Sequence, residues 1–201
     1  MKYSALQHSL ILVLVVAAVS ACSSSRPIGE WRSDSFSGKL DNILIIGVTS
    51  QSARRRIFED TFVTGFAARK VNATPSYKLL ASSLELNREI VEKAIEGKNI
   101  GAVLITRLAG FREKDVYQPS SDQDENLAYF SFSGKGLKQT DEGYYEQHLV
   151  LTLETKVYDV TSEALIWSMR SEIEDPAISR QAIQDQIKLT IDTLRKRRFI
   201  N

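Results

Sequence analysis

The stretch YYEQHLVLTLETKVYDV, residues 144–160, decides the fold prediction because its side chains alternate in character with a period of two. Apolar side chains lie on one side of this predicted strand, at Leu149, Leu151, Leu153 and Val157. Polar and charged side chains lie on the other side, at His148, Thr152, Glu154 and Lys156. An alternation of this length indicates a long β-strand in a sheet with one apolar face and one wetter face.

The segment after this strand predicts a hairpin and then a helix. Residues 159–163 form a turn, and residues 164–173 return as a second, antiparallel strand. The final segment repeats apolar residues at helical spacing, at Ile183, Ile187, Ile191 and Leu194. This stripe predicts a helix that packs on the sheet.

The upstream half predicts strands and helices in alternation. Strands are expected at 42–48, within 72–80 and at 100–108, and helices at 53–70 and 87–97. Pro75 restricts the middle strand to a short or edge position. The polar continuation at 111–118 is expected to leave the sheet. The chain is therefore predicted to form one α/β domain over 40–201, an α+β sandwich with a mixed sheet of about five strands and three helices in the order βαβαβ-ββα.

The chain opens with the anatomy of an export signal. Lys2 precedes an apolar run over 10–19, which is too short to cross a bilayer because a spanning helix needs about 20 apolar residues. The quartet Val19-Ser20-Ala21-Cys22 resembles the lipobox of bacterial lipoproteins, in which an aliphatic residue and two small residues precede a lipidated cysteine. The resemblance implies a lipoprotein signal peptide over 1–21 and acyl chains on Cys22 as a membrane anchor. The residues that follow are polar, rich in Ser and Gly with Pro27 and few aliphatic residues, and predict a flexible tether over 22–39. The alternative is an ordinary secreted protein in which Cys22 is a chance cysteine.

The composition argues against several classes of function. Lys and Arg number 26 and Asp and Glu number 25, and the loss of Lys2 with a signal peptide leaves 25 of each. A neutral chain lacks the basic footprint that nucleic-acid binding requires, so no nucleic-acid partner is predicted. Cys22 is the only cysteine, and His148 is the only histidine after residue 21. Neither a cysteine nucleophile nor a histidine-rich metal site is therefore predicted.

The sequence contains no recognisable catalytic or nucleotide-binding motif. Gly134-Lys135-Gly136 lacks the spaced glycines and the Ser or Thr of a phosphate-binding loop, so neither a nucleotide nor another cofactor is predicted. We therefore predict that the protein is not an enzyme, with no catalytic residue and no metal. A hydrolase that acts on cell-wall sugars through carboxylates such as Glu172 and Glu174 is the weaker alternative.

Two segments are candidate binding sites. Residues 119–143 form a long polar loop with an apolar island, and loops of this length are often functional or disordered. The candidate partner-binding residues of the island are Leu127, Tyr129, Phe130 and Phe132, and the alternative is that they fold back onto the core. Arg54, Arg55 and Arg56 begin a helix, where the dipole does not favour cations, so they are candidate anion-binding residues. A solvated charge cluster is the alternative.

The element order also resembles that of small envelope lipoproteins. The stretches that carry the resemblance are Ile43 to Val48, Gly101-Ala102-Val103-Leu104-Ile105-Thr106, Leu153 to Val160, and Glu163-Ala164-Leu165-Ile166-Trp167. They are similar to a fold shared by the penicillin-binding-protein activator LpoB, the curli secretion lipoprotein CsgG and the N-terminal domain of TolB. In such lipoproteins an Asp directly after the cysteine tends to retain the protein at the inner membrane. Ser23 stands at that position, which implies the outer membrane, facing the periplasm.

The resemblance implies a non-catalytic lipoprotein that binds an unidentified envelope protein as an adaptor or assembly factor. The alternative that it leaves open is a subunit of an oligomeric outer-membrane export channel, which would make the protein a homo-oligomer.

Overall fold

A mixed sheet of six strands runs through the part of the chain that the computed structural model describes, residues 25–81, 86–118, 144–174 and 180–201. The strands are β1 (Ser25–Arg32), β2 (Ile43–Val48), β3 (Ala73–Pro75), β4 (Ala102–Gln118), β5 (Tyr144–Asp159) and β6 (Leu165–Glu174). The predicted α/β class is confirmed, and the sheet has six strands rather than about five.

The sheet combines a parallel half with an antiparallel half, in the order β1-β6-β5-β4-β2-β3. Strand β2 lies parallel between β3 and β4, whereas the neighbours from β4 to β1 are antiparallel. Strand β2 is buried on both sides, with Ile43 and Ile45 in one core layer and Leu44 and Ile46 in the other. This two-sided burial explains its unbroken apolar sequence.

Two helices, α1 (Ser52–Ala67) and α3 (Arg180–Lys196), cover one face of the sheet. Their buried side chains, Phe62, Phe66, Ile187, Ile191 and Leu194, pack in one core with Leu104, Val157, Trp167 and Met169 of the sheet. The two helices meet at Gly65, where an added Cβ would lie 2.6 Å from Ile191 Cδ1. A larger residue at this crossing would therefore force the end of the Ile191 side chain to shift.

The remaining helix of the described chain, α2 (Arg88–Ile95), lies over the opposite face beside β2 and β4. Asn87 caps its start by accepting a hydrogen bond from the Ile90 N–H at 2.9 Å. Gly97 follows its end with a φ of 68°, a conformation that glycine adopts without strain. Both ends agree with the helix predicted over 87–97.

Strand β1 corrects the prediction of a flexible tether over 22–39, because residues 25–32 pair with β6. Arg26 contacts Glu172 at 2.8 Å, and Glu30 accepts two hydrogen bonds from Arg197, each at 2.8 Å. The polar residues that suggested a tether are thus anchored to distant parts of the chain. Pro27, next to a shift in the strand register, suits an edge position because it needs no N–H partner.

Strand β4 corrects a second prediction, that residues 111–118 leave the sheet. They continue the antiparallel ladder with β5 as far as the pair Gln118 and Tyr144. Their polar character reflects a different cause: residues 113–117 lie beyond the end of β6, so their side chains reach solvent on both faces of the sheet. A composition without an apolar side is compatible with a strand in that setting.

A buried ion pair joins α1 to the parallel half of the sheet. Arg55 Nε donates to Glu59 Oε1 at 2.9 Å, and both side chains are almost completely buried. The Glu59 carboxylate also accepts hydrogen bonds from Gly47 N at 3.0 Å, Ser76 Oγ at 2.6 Å and Tyr77 N at 3.0 Å. One carboxylate therefore connects the end of β2, helix α1 and the turn that follows β3.

We expect Glu59→Gln to lower the free energy of unfolding by about 3 kcal/mol, because the remaining buried guanidinium loses its compensating charge. Arg54→Gln, on the exposed side of the same helix, is the matched control and should change it by less than about 0.5 kcal/mol. Urea denaturation followed by circular dichroism measures both. Equal midpoints for the two variants would contradict the role given to Glu59.

Candidate functional site

Strands β4 and β5 continue as a two-stranded ribbon beyond the rest of the sheet. The last rung that β6 shares with β5 joins Glu174 to Val150, which pairs in turn with Arg112. Six further rungs of β4 and β5 follow, up to Gln118. Because each residue of a strand advances about 3.3 Å, the ribbon extends about 20 Å past the sheet.

The end of the ribbon is apolar and exposed. Tyr117 and Tyr145 lie directly opposite each other, with ring centroids 5.5 Å apart in an edge-to-face arrangement. Their side chains are 44% and 71% exposed, and that of Tyr144 is 61% exposed. We call these three tyrosines and Val116 the ribbon tip. Exposed aromatic side chains grouped on a projecting element are typical of a contact surface.

A charged band separates the ribbon tip from the sheet. Lys114 donates to Glu174 at 2.8 Å, and this hydrogen bond lowers the pKa of the Glu174 carboxyl. His148 is mostly buried, with Nε2 3.5 Å from a Glu146 oxygen and Nδ1 3.6 Å from a Glu174 oxygen. The band therefore holds charges of both signs and places His148 beside carboxylates.

The sheet face opposite α1 and α3 carries a network of ion pairs. Of the described helices, only α2 lies over part of this face. We call this surface the open face. At its centre the Glu154 carboxylate, only 8% exposed, lies 2.6 Å from Arg107, 3.2 Å from Lys156 and 3.4 Å from Arg170. The three cationic side chains are much more exposed than the carboxylate. The open face thus presents positive groups to solvent.

A second group on the open face ties the start of the chain to the sheet. Glu172 of β6 lies 2.8 Å from Arg26 of β1 and 3.3 Å from Arg112 of β4. Its carboxylate is mostly buried, whereas Arg26 is 61% exposed. The arrangement joins an edge strand to two inner strands through charges.

The basic neighbours favour the ionised form of both glutamates. For Glu172, the hydrogen bond from Arg26 is the main cause of a lowered pKa, and burial opposes it. For Glu154, burial raises the pKa, but the hydrogen bonds from Arg107 and Lys156 outweigh it, so the pKa is lowered. These carboxylates stay charged at neutral pH and do not have the raised pKa of a general acid.

The structure separates the three arginines predicted to bind an anion. Arg55 is buried in its pair with Glu59, so its charge is used within the fold. Arg54 is exposed, and the guanidinium of Arg56 lies 5.2 Å from the centre of the Tyr77 ring. Within the described residues they do not form one anion-binding cluster.

Other predicted residues lie outside the described part of the chain. These are Cys22 and the island residues Leu127, Tyr129, Phe130 and Phe132. The ribbon tip was not among the predicted sites, although the sequence contains a signal for it. Val116-Tyr117 lies just before the end of one strand, and Tyr144-Tyr145 begins the next strand after the 119–143 segment.

Residues 25–81, 86–118, 144–174 and 180–201 contain no group of three or more His, Cys, Asp or Glu side chains placed to hold a metal ion. None of the helices in these ranges is long and apolar enough to cross a membrane. A groove of about 960 Å³ lies beneath α2, with Ile46, Val91 and Ile105 among its lining residues and the ion pair of Arg88 with Glu163 at its side.

We expect Glu172→Gln to reduce the free energy of unfolding at pH 7 by about 1 kcal/mol, because it removes the partner of two arginines. A carboxyl whose pKa is lowered in the folded state stabilises the protein above its ordinary pKa of 4.5 and loses that effect as the pH falls through the lowered value. The difference between wild type and variant should therefore shrink as the pH is lowered from 7 into the acidic range below 4.5. A denaturation series across this pH range measures it, and an undiminished difference in acid would contradict the assignment.

No protein-family model and no curated protein matches the sequence. Among solved structures, the chain is similar to a PelC dodecamer from Paraburkholderia phytofirmans, at 11% identity and a TM-score of 0.42, over 82% of this chain and 94% of that chain. It is also similar to a dodecamer of a leucine-to-methionine variant of the same PelC, at 11% identity and a TM-score of 0.41, over 82% of this chain and 95% of that chain. A likeness at these TM-scores transfers no property to this chain.

Proposed function

We propose that the protein is a lipid-anchored, non-catalytic component of the bacterial envelope that binds another envelope protein as an adaptor or assembly factor. The observation that carries the proposal is the position of β1, whose first residue, Ser25, follows Cys22 by three residues. Three residues span at most about 11 Å. If Cys22 carries acyl chains, the folded domain therefore sits directly on the membrane.

The accessible surfaces support a binding role. The open face presents Arg107, Arg170 and Arg26 outward above buried carboxylates, so its side chains are held in place before a partner arrives. Preorganised charges reduce the entropic cost of binding and favour a partner surface of opposite charge. Placement at the outer membrane, facing the periplasm, follows from the resemblance at Ser23 and belongs to the same proposal.

One observation favours a second candidate, a subunit of an oligomeric export channel. Among the described strands, the ribbon formed by residues 113–118 and 144–149 has no neighbour on either side. Strand edges of this kind can pair with a second copy of the chain. Detergent-extracted protein that remains monomeric in light scattering would remove this candidate.

Two readouts test the two parts of the leading proposal. Mass spectrometry of the purified protein should show a mature chain that begins at Cys22 and carries acyl chains, and Cys22→Ala should abolish acylation whereas Ser23→Ala should not. A photo-crosslinker at position 170 on the open face should capture an envelope protein in cells, and the same crosslinker at position 54 should not. An unacylated mature chain would contradict the proposed lipid anchor. Equal capture from positions 170 and 54 would contradict the proposed binding by the open face.

A further inference from the structure

We propose that the open face binds an acidic, extended segment of the partner protein at four arginines, Arg26, Arg107, Arg112 and Arg170. We call these four residues the arginine platform. The inference rests on the proposed adaptor function and names the chemistry of its partner, a stretch of chain with at least three carboxylates.

The register of the sheet brings the four arginines onto one surface from three strands. Arg107 and Arg170 lie in the same row, on either side of Glu154. Arg26 lies in the next row on the same face, and Arg112 lies in the row after that. The three rows are spread over four residues of β5, about 13 Å, and the strands from β4 to β1 span about 14 Å.

The arginine platform carries more positive charge than the carboxylates beneath it neutralise. Glu154 and Glu172, which are 8% and 11% exposed, are shared by five cationic side chains, the four arginines and Lys156. This leaves an excess of three positive charges, and the neighbouring pair of Lys114 with Glu174 adds one charge of each sign. The four arginines are 48–61% exposed, so their remaining N–H donors face solvent.

The dimensions of the platform match those of an extended chain with acidic residues at alternate positions. Alternate side chains of such a chain lie on one side, and the first and third are about 13 Å apart. Guanidinium groups bind carboxylates through two parallel N–H donors. The surface between the arginines is open, because a Cβ added at Gly29 or Gly110 would have no atom within 4 Å.

The surroundings of the platform favour a segment of protein over a membrane. Helix α2 lies over the same face above Ile105, two residues before Arg107. Because a helix is about 10 Å thick, a planar bilayer resting on this face would meet α2 before the platform. On the other side Trp31, 48% exposed, lies in the row next to that of Arg170. Tryptophan and arginine together are typical of the residues that dominate protein interfaces.

Peptide binding to the purified full-length protein tests the inference. The chain carries Cys22→Ala, so that no acyl chain contributes. The probe is a fluorescein-labelled peptide of sequence GETETEG, and its neutral counterpart GQTQTQG is the control. Fluorescence anisotropy should show binding of the acidic peptide that weakens as salt is added, because exposed charges make the contacts. The neutral peptide should bind at least about tenfold more weakly, and equal binding of the two peptides would overturn the inference.

A pair of variants with the same net charge locates the binding. Arg26→Gln combined with Arg170→Gln removes half of the platform but leaves a cationic neighbour beside each buried carboxylate. Arg54→Gln combined with Lys188→Gln is the matched control, at exposed positions of the helices that cover the other face. The platform variant should bind the acidic peptide at least about fivefold more weakly, and the control should stay within about twofold of the parent protein. Equal losses would overturn the inference, because binding would then follow net charge alone.

Three other occupants of the open face are outcomes of the same test. Platform-dependent binding of phosphatidylglycerol vesicles or of polygalacturonate, without binding of the acidic peptide, would assign the face to a membrane or to an acidic polysaccharide. Peptide binding that requires Asp122→Asn, Asp124→Asn and Glu125→Gln would assign it to the acidic stretch of this chain itself. Each of these results would overturn the inference.

The proposed adaptor function is read separately, in cells. Mass spectrometry of the peptide crosslinked to position 170 should identify a segment with at least three Asp or Glu residues. Capture through a neutral or basic segment refutes the acidic partner and leaves the adaptor function intact. Binding of the acidic peptide in vitro without capture in cells supports the acidic chemistry of the partner site and refutes the adaptor function.

Discussion

The pairing of β1 with β6 is the constraint on which the placement of the whole domain depends. Without it, residues 22–39 would be a coil with a reach of about 25 Å, and the orientation of the domain relative to Cys22 would not be fixed. With it, only two residues, Ser23 and Ser24, separate Cys22 from the first residue of the sheet. The ion pair of Arg26 with Glu172 and the paired hydrogen bonds of Glu30 with Arg197 secure the strand from both faces of the sheet. The orientation of the ribbon then follows from the register alone.

Different interactions hold the two halves of the sheet. In the parallel half, the Glu59 carboxylate accepts hydrogen bonds from Arg55, from the end of β2 and from the turn after β3. These hydrogen bonds compensate for the cost of burying its charge. In the antiparallel half, long backbone ladders dominate, and cross-strand ion pairs on the open face add to them. The ribbon grows out of this second half, so its projection does not disturb the core beneath α1 and α3.

The sequence predicted what depends on local periodicity. Three such features are the alternation over 144–160, the apolar run at 42–48 and the helix cap at Asn87. Each of them is determined by residues that are close together in the sequence. The strand at 25–32 could not be predicted in this way, because its partners Glu172 and Arg197 lie 146 and 167 residues from Arg26 and Glu30. The continuation at 111–118 was misjudged because a ribbon exposed on both faces has no apolar side to detect.

The candidate sites show the same limit. Arg54, Arg55 and Arg56 are the same residue type, and the orientation of α1 on the sheet determines that Arg55 is the buried one. Glu59, four residues after Arg55, is the sequence signal for its ion pair. The aromatic ribbon tip could be predicted only if the pairing of the end of β4 with the start of β5 was known. Its signal in the sequence is the pair of tyrosine-containing stretches on either side of residues 119–143.

Hydrogen–deuterium exchange of the full-length protein tests the central claim most directly, that β1 is part of the sheet. Amides of residues 26–32 that face β6 should exchange as slowly as those of β6 itself, because both strands share one ladder. Complete exchange of residues 26–32 within seconds, while β5 and β6 remain protected, would show a flexible tether and would contradict the account.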